Sequence, residues 1–185
     1  MLEFTDDVSL LKGRYRADVY EGDVRRERLP LWQSVWNMFA DIRWRLFRLP
    51  ASHYYWGRVL NHKVGEFGGD NLVVTVGKQV LMDRLYGLSA VAAVSRMGVG
   101  TSNTAAAVGN TSLTGGVFKV FDATPIRSSL TVTSITTFAT GEANIAWAEM
   151  GQDNATTLLS RVAPIGPFTK TSAVSIVLSY ALTIA

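Results

Sequence analysis

The chain has no cysteine and only two histidines, His53 and His62, in 185 residues. The first absence excludes a disulfide framework, a zinc ribbon, an iron–sulfur cluster and a cysteine nucleophile. The second leaves too few imidazoles for an ordinary multi-histidine metal site. Charge is scarce as well. Charged residues make up 18% of the chain against 48% hydrophobic, which describes a folded chain whose surface is unusually uncharged and suited to cover by partners. An uninterrupted apolar run is also missing. The stretch from Leu31 to Leu49 has the length to span a bilayer but carries Asp41, Arg43, Arg45 and Arg48, which excludes spanning. The N-terminus, MLEFTDDVSLLKGRYR, is acidic where a signal peptide needs a basic opening. The expectation is a chain made and kept in a cytoplasm, without a membrane partner.

What charge there is falls unevenly, and the composition divides near residue 70. Residues 1–24 hold six acidic residues against three basic, whereas residues 25–63 hold eight Arg or Lys against Glu27 and Asp41. Four of the five tryptophans (Trp32, Trp36, Trp44, Trp56) lie in that basic stretch, and residues 101–185 carry 24 Ser or Thr. A charge-poor tail of Val, Ile and Thr punctuated by Gly has strand propensity. The sequence therefore predicts a mainly β protein with an α-helical N-terminal region. Residues 1–69 form an extended arm and an amphipathic helix for anchoring or oligomerisation, and residues 70–185 an antiparallel, jelly-roll-like β-sandwich.

In the front part, Trp32, Val35, Trp36, Phe39, Ile42, Leu46 and Leu49 recur at three- and four-residue steps, one stripe of a helix between Pro30 and Pro50. Met38 and Trp44 lie off that stripe, which predicts a second contact surface. Residues 52–60 read as a strand or docking loop, Gly65, Gly68 and Gly69 as a turn or hinge, and residues 77–86 as a short helix capped by Gly87. Strands are expected over 71–76, 91–99, 116–121, 127–138, 144–150 and 157–162. The last segment, 172–184, places Val174, Ile176, Leu178, Tyr180, Leu182 and Ile184 on alternate residues, a long strand with one buried face.

No catalytic constellation is assembled. The run Val76-Gly77-Lys78-Gln79 lacks the upstream glycine and the Ser or Thr of a phosphate loop, and reads as a turn before a helix. Gly98-Val99-Gly100 has no third glycine and reads as a tight strand end. Glu142 and Glu149 are seven apart, which does not put them on one face of a strand, and read as exposed or paired carboxylates. The reading assigns no catalytic residue, no metal ligand and no cofactor. The Arg/Trp stretch could suggest nucleic acid. Its tryptophans occupy the apolar stripe, however, so contact with another helix or a partner subunit is favoured over nucleic acid. Large aromatics and Arg are the side chains that interfaces use. The expected interface residues are Trp32, Trp36, Phe39, Arg43 and Leu46 on the helix, with Tyr54, Tyr55 and Trp56 at the junction.

Residues 72–87 (LVVTVGKQVLMDRLYG) and 97–113 (MGVGTSNTAAAVGNTSL) run as strand, short helix and Gly-Val-Gly-Thr loop. They are followed by 141–151 (GEANIAWAEMG), 158–162 (LLSRV), 169–171 (TKT) and the terminal alternating strand. In these features the chain resembles structural proteins of tailed bacteriophages over roughly residues 70–185. The resemblance implies a β-sandwich module in a symmetric oligomer, possible in capsid decoration, neck or tail, with no catalytic residues to carry over. Its partners would be other virion proteins and copies of itself, as a trimer or ring, and its place the virion, after synthesis in the host cytoplasm. Two other classes stay open at this point. One is a receptor- or glycan-binding sandwich of a tail fibre, for which Trp147 is the one tryptophan beyond residue 70. The other is a small enzyme using Glu142 or Glu149.

Overall fold

The computed structural model describes residues 11–88, 91–166 and 168–184. The protein is mainly β. In chain order the elements are β1 (Leu11–Glu21), α1 (Leu31–Phe47), β2 (Lys63–Val73), α2 (Thr75–Tyr86), β3 (Arg96–Gly100), β4 (Val117–Val120), β5 (Ile126–Ser128), β6 (Thr131–Phe138), β7 (Ala146–Trp147), β8 (Glu149–Asp153), β9 (Leu158–Val162), β10 (Phe168–Thr169) and β11 (Val174–Ile184). Nine strands form one antiparallel sheet in the order β4-β3-β8-β9-β2-β1-β11-β6-β5, and β7 pairs with β10 apart from it.

The sheet curls because β2 serves two neighbours. Its first part pairs with β1, from Gly13 opposite Asn71 to Tyr20 opposite Lys63, while Leu72 and Val73 pair with Arg161 and Ser160 of β9. The curl brings β4 beside β6, where the Asp122 amide donates to the Ile135 carbonyl (2.9 Å) and Lys119 Nζ to the Thr137 carbonyl (2.8 Å). One core fills the inside of the curl, with Tyr15, Ala17 and Val19 of β1, Ile176, Leu178 and Tyr180 of β11, and Phe138 of β6 meeting Met97, Val99, Met150 and Val162 from the other half. Trp147 is fully buried among Phe67, Phe138 and Phe168, and its Nε1 donates to the Ala143 carbonyl (2.9 Å).

Several expectations change here. Residues 11–21 are not an extended arm. They form an interior strand between β2 and β11, because Tyr15, Ala17 and Val19 alternate with Arg14, Arg16 and Asp18 and so present one apolar face. The part of the expected arm at residues 1–10 lies outside the described residues. Gly65, Gly68 and Gly69 are not a hinge but belong to β2, and the division at residue 70 cuts that strand. Gly68 is there for close approach, since a Cβ on it would sit 2.2 Å from the Tyr15 carbonyl oxygen. The segment 127–138 is a hairpin rather than one strand. Ser129, at φ 52, turns β5 into β6, and the buried parity of β6 is Ser134, Thr136 and Phe138, so Ile135 is on the other face. The terminal strand and α2 with its left-handed Gly87 cap (φ 63) lie where the sequence places them.

Candidate functional site

α1 is the crossover of the β1–β2 hairpin. Beyond the sheet, residues 25–27 and 58–60 continue the pairing, with the Glu27 amide donating to Arg58 and the Leu60 amide to Arg25 (2.9 Å each). A Cβ on Gly57 would meet the Glu27 carbonyl oxygen at 1.9 Å, so only glycine fits the neck of this excursion. Residues 30–56 then form the helix and its return.

The helix is mounted by its polar side. Its sheltered stripe is Gln33, Asn37, Ala40, Asp41 and Trp44, of which Asn37 and Ala40 are buried. Asn37 Nδ2 donates to the Tyr55 carbonyl (2.7 Å), and the Tyr55 amide returns a bond to Asn37 Oδ1 (3.0 Å). Asp41 accepts from the Tyr54 hydroxyl (3.1 Å) through one oxygen and from the Thr124 hydroxyl (2.8 Å) and amide (3.3 Å) through the other. Burial, followed by the Asp41 charge and its hydrogen bond, pushes the Tyr54 hydroxyl up to about 12. Trp44, off the apolar stripe, lines an apolar cavity of about 230 Å³ with Leu81 of α2, Phe121, Leu159 and Tyr180.

The apolar side consequently points away from the protein. Leu31, Trp32, Val35, Trp36, Met38, Phe39, Ile42, Leu46 and Phe47 are all exposed, from 40% for Val35 to 81% for Leu31. At 100° per residue these side chains cover an arc of about 180°, with Arg43 the one charged residue inside it. The Arg43 guanidinium folds back to the Pro50 carbonyl (2.5 Å), and Arg48, the left-handed cap of α1, stacks over Trp44 at 5.5 Å. Leu31 to Ile42 therefore form a surface free of mobile charge.

The expected junction residues form a wall beside it. His53 stacks on Trp36 with ring centroids 4.8 Å apart and planes within 7°, and Trp32 meets the edge of Tyr55 at 5.1 Å. Tyr54 packs on Trp56 at 5.2 Å, and Arg26 covers the Trp56 ring at 4.6 Å. The structure thus places Trp32, Trp36, Phe39, Arg43 and Leu46 on the exposed side and Tyr54, Tyr55 and Trp56, half-buried, along its edge. Periodicity found the stripe but not its direction. Asn37 and Asp41, the residues that set the direction, sit four apart on the opposite side, and that spacing was the available signal.

The two carboxylates weighed for catalysis are both in ion pairs. Glu142 binds Lys119 Nζ (2.6 Å). Glu149, fully buried, binds Arg161 Nε (2.5 Å) through one oxygen and the Thr114 and Ser102 amides (2.6 and 3.3 Å) through the other. The Arg161 guanidinium also reaches the Thr104 and Ala105 carbonyls and Asn110 Oδ1. This pair is the clasp that holds the 101–114 loop against β8 and β9. Comparison with protein families, with curated proteins and with solved structures finds no match to this chain.

Proposed function

We propose that this chain is a non-enzymatic structural component of a tailed-bacteriophage particle, made in the host cytoplasm and carried on the virion in capsid decoration, neck or tail. The curled sheet is its sandwich-like body, and α1 with the 53–56 wall is the surface through which it joins neighbouring subunits. The observation that carries the reading is the orientation of α1. With roughly 150–250 Å² in each large aromatic side chain, the exposed parts of these apolar residues amount to on the order of 1,000 Å². The largest apolar patch of an ordinary monomer is only about 300–600 Å². A helix fastened by Asn37 and Asp41 so that its tryptophans face outward is built for assembly. The resemblance in the strand, helix and Gly-Val-Gly-Thr loop supplies the kind of assembly.

Particles assembled with Trp32→Asp and Phe39→Asp in place test the reading. Both side chains are 61% exposed, so the fold does not depend on them. The expected result is loss of the protein from purified particles while soluble, folded protein accumulates. Normal occupancy of the double variant would overturn the proposal.

A further inference from the structure

We infer that the outward face of α1 is covered by α1 of further copies of this chain, in a cyclic helix bundle of at least three subunits. The inference deepens the assembly reading and rests on the same helix, but it names the occupant. Three features of the surface select it.

Width comes first. A two-stranded seam uses a narrow stripe of each helix, two positions in seven, whereas bundles of three or more bury a wider face because each helix meets two neighbours. The charge-free part of the α1 arc, from Met38 through Leu31, Ile42, Val35, Leu46 and Phe39 to Trp32, spans about 120° at 100° per residue, and Trp36 and Phe47 widen it further. That is a face for two neighbours.

Area comes second. With on the order of 1,000 Å² of apolar surface offered by each chain and shared between two neighbours, every pair in such a ring would remove about 1,000 Å² through the helices, about the area a specific interface has to clear.

The third feature is charge, and it argues against a lipid surface. An interfacial helix keeps Lys and Arg free on its polar side to reach headgroups. Here the polar side is turned into the chain's own body through Asn37 and Asp41, Arg43 and Arg48 are held by Pro50 and Trp44, and a single cation of the helix, the exposed Arg45 beside Met38, is left to reach a headgroup. The aromatic wall of Trp36 on His53 and Trp32 on Tyr55 is moreover preformed, which suits a partner of fixed shape.

The test uses the full chain, purified alone, with native mass spectrometry and light scattering. The expected mass is an integral multiple, three or higher, of 20.2 kDa. Phe39→Asp with Leu46→Asp is expected to return it to the monomer without changing circular dichroism or thermal unfolding. Val64→Asp, at an exposed apolar residue away from the helix, should leave the mass unchanged. Because the chain has no cysteine, Val35→Cys adds a single thiol, and oxidation should join copies through it. A monomer at all accessible concentrations, a dimer, a monomer that binds anionic vesicles, or an oligomer that survives the double Asp substitution would each overturn the inference. The virion reading fails separately. A chain monomeric in isolation yet present on particles would leave that reading standing and remove this one, and an oligomer absent from particles would do the reverse.

Discussion

Asn37 holds both backbone groups of Tyr55, donating to its carbonyl and accepting from its amide, and together with Asp41 on Thr124 it fixes which side of α1 turns inward. Asn37→Ala removes both bonds and leaves a partly sheltered amide and carbonyl unpaired. At about 1–3 kcal/mol for stranding such groups, the return segment should loosen from the helix before the sheet responds. Hydrogen exchange is the measurement: amides from residue 31 to 56 should exchange faster while those of β1 and β11 keep their protection. Uniform loss of protection would mean that the excursion and the sheet unfold as one unit.

The Glu149–Arg161 pair makes a harsher prediction, because both groups are buried and every oxygen and most of the guanidinium are used. Arg161→Leu leaves an uncompensated carboxylate in the interior, at a cost of about 3–5 kcal/mol. Replacing both partners, Glu149→Leu with Arg161→Leu, should be less damaging than the single change. The 101–114 loop, however, should be released in both variants and become sensitive to protease. If the single variant is as stable as the parent, the clasp contributes nothing and this account of the loop is wrong.

How much of this was legible in the chain depends on which force decided each element. β11 was readable because burial on one face writes alternation into the sequence, and α2 because Gly87 marks its end. β1 carries the same alternation in Tyr15, Ala17 and Val19, although the sequence reading takes these residues as part of an arm. Its pairing with β11, about 160 residues away, is not written locally. The α1 stripe was plain, yet amphipathic spacing says only that two sides differ. Which side turns inward was settled by two polar residues whose partners, Tyr55 and Thr124, come from elsewhere in the chain.

Two glycines of α2 separate a steric from a conformational requirement. Gly77 is in the first turn, where a Cβ would lie 2.1 Å from the Leu159 carbonyl oxygen, a backbone atom that cannot move aside without disturbing β9. Gly87 has φ 63 and nothing within 4 Å of a built Cβ. Gly87→Ala should therefore cost about 1 kcal/mol, the penalty for a left-handed residue with a side chain. Gly77→Ala should exceed it severalfold, because α2 must lift from β9. Denaturant midpoints of the two variants provide the comparison, and equal losses would contradict the close packing of α2.

Alkaline pH should unfold this protein through its sheltered tyrosines. Tyr180, deep in the curl with its hydroxyl accepting from Asn71 Nδ2 (3.0 Å), is pushed up to about 12 by burial, against the pull of its hydrogen bonds to Ser160 and Asn71. Tyr15, whose ring lies 4.5 Å from that of Tyr180, is raised by burial and then by that neighbour. Tyr54 is raised by burial and by Asp41. An acid whose folded value lies above its unfolded value of 10.0 is protonated longer in the folded state. Its contribution is complete below about pH 10 and is lost as the pH rises towards 12, and for Tyr180 the loss is on the order of 2–3 kcal/mol. Tyr54→Phe and Tyr180→Phe, which keep the ring but remove the ionisable hydroxyl, should each flatten part of this decline. Urea midpoints at about pH 9 and about pH 11, read together with phenolate absorbance, decide the matter. Identical slopes in the parent and Tyr180→Phe would show that Tyr180 does not govern the alkaline limit.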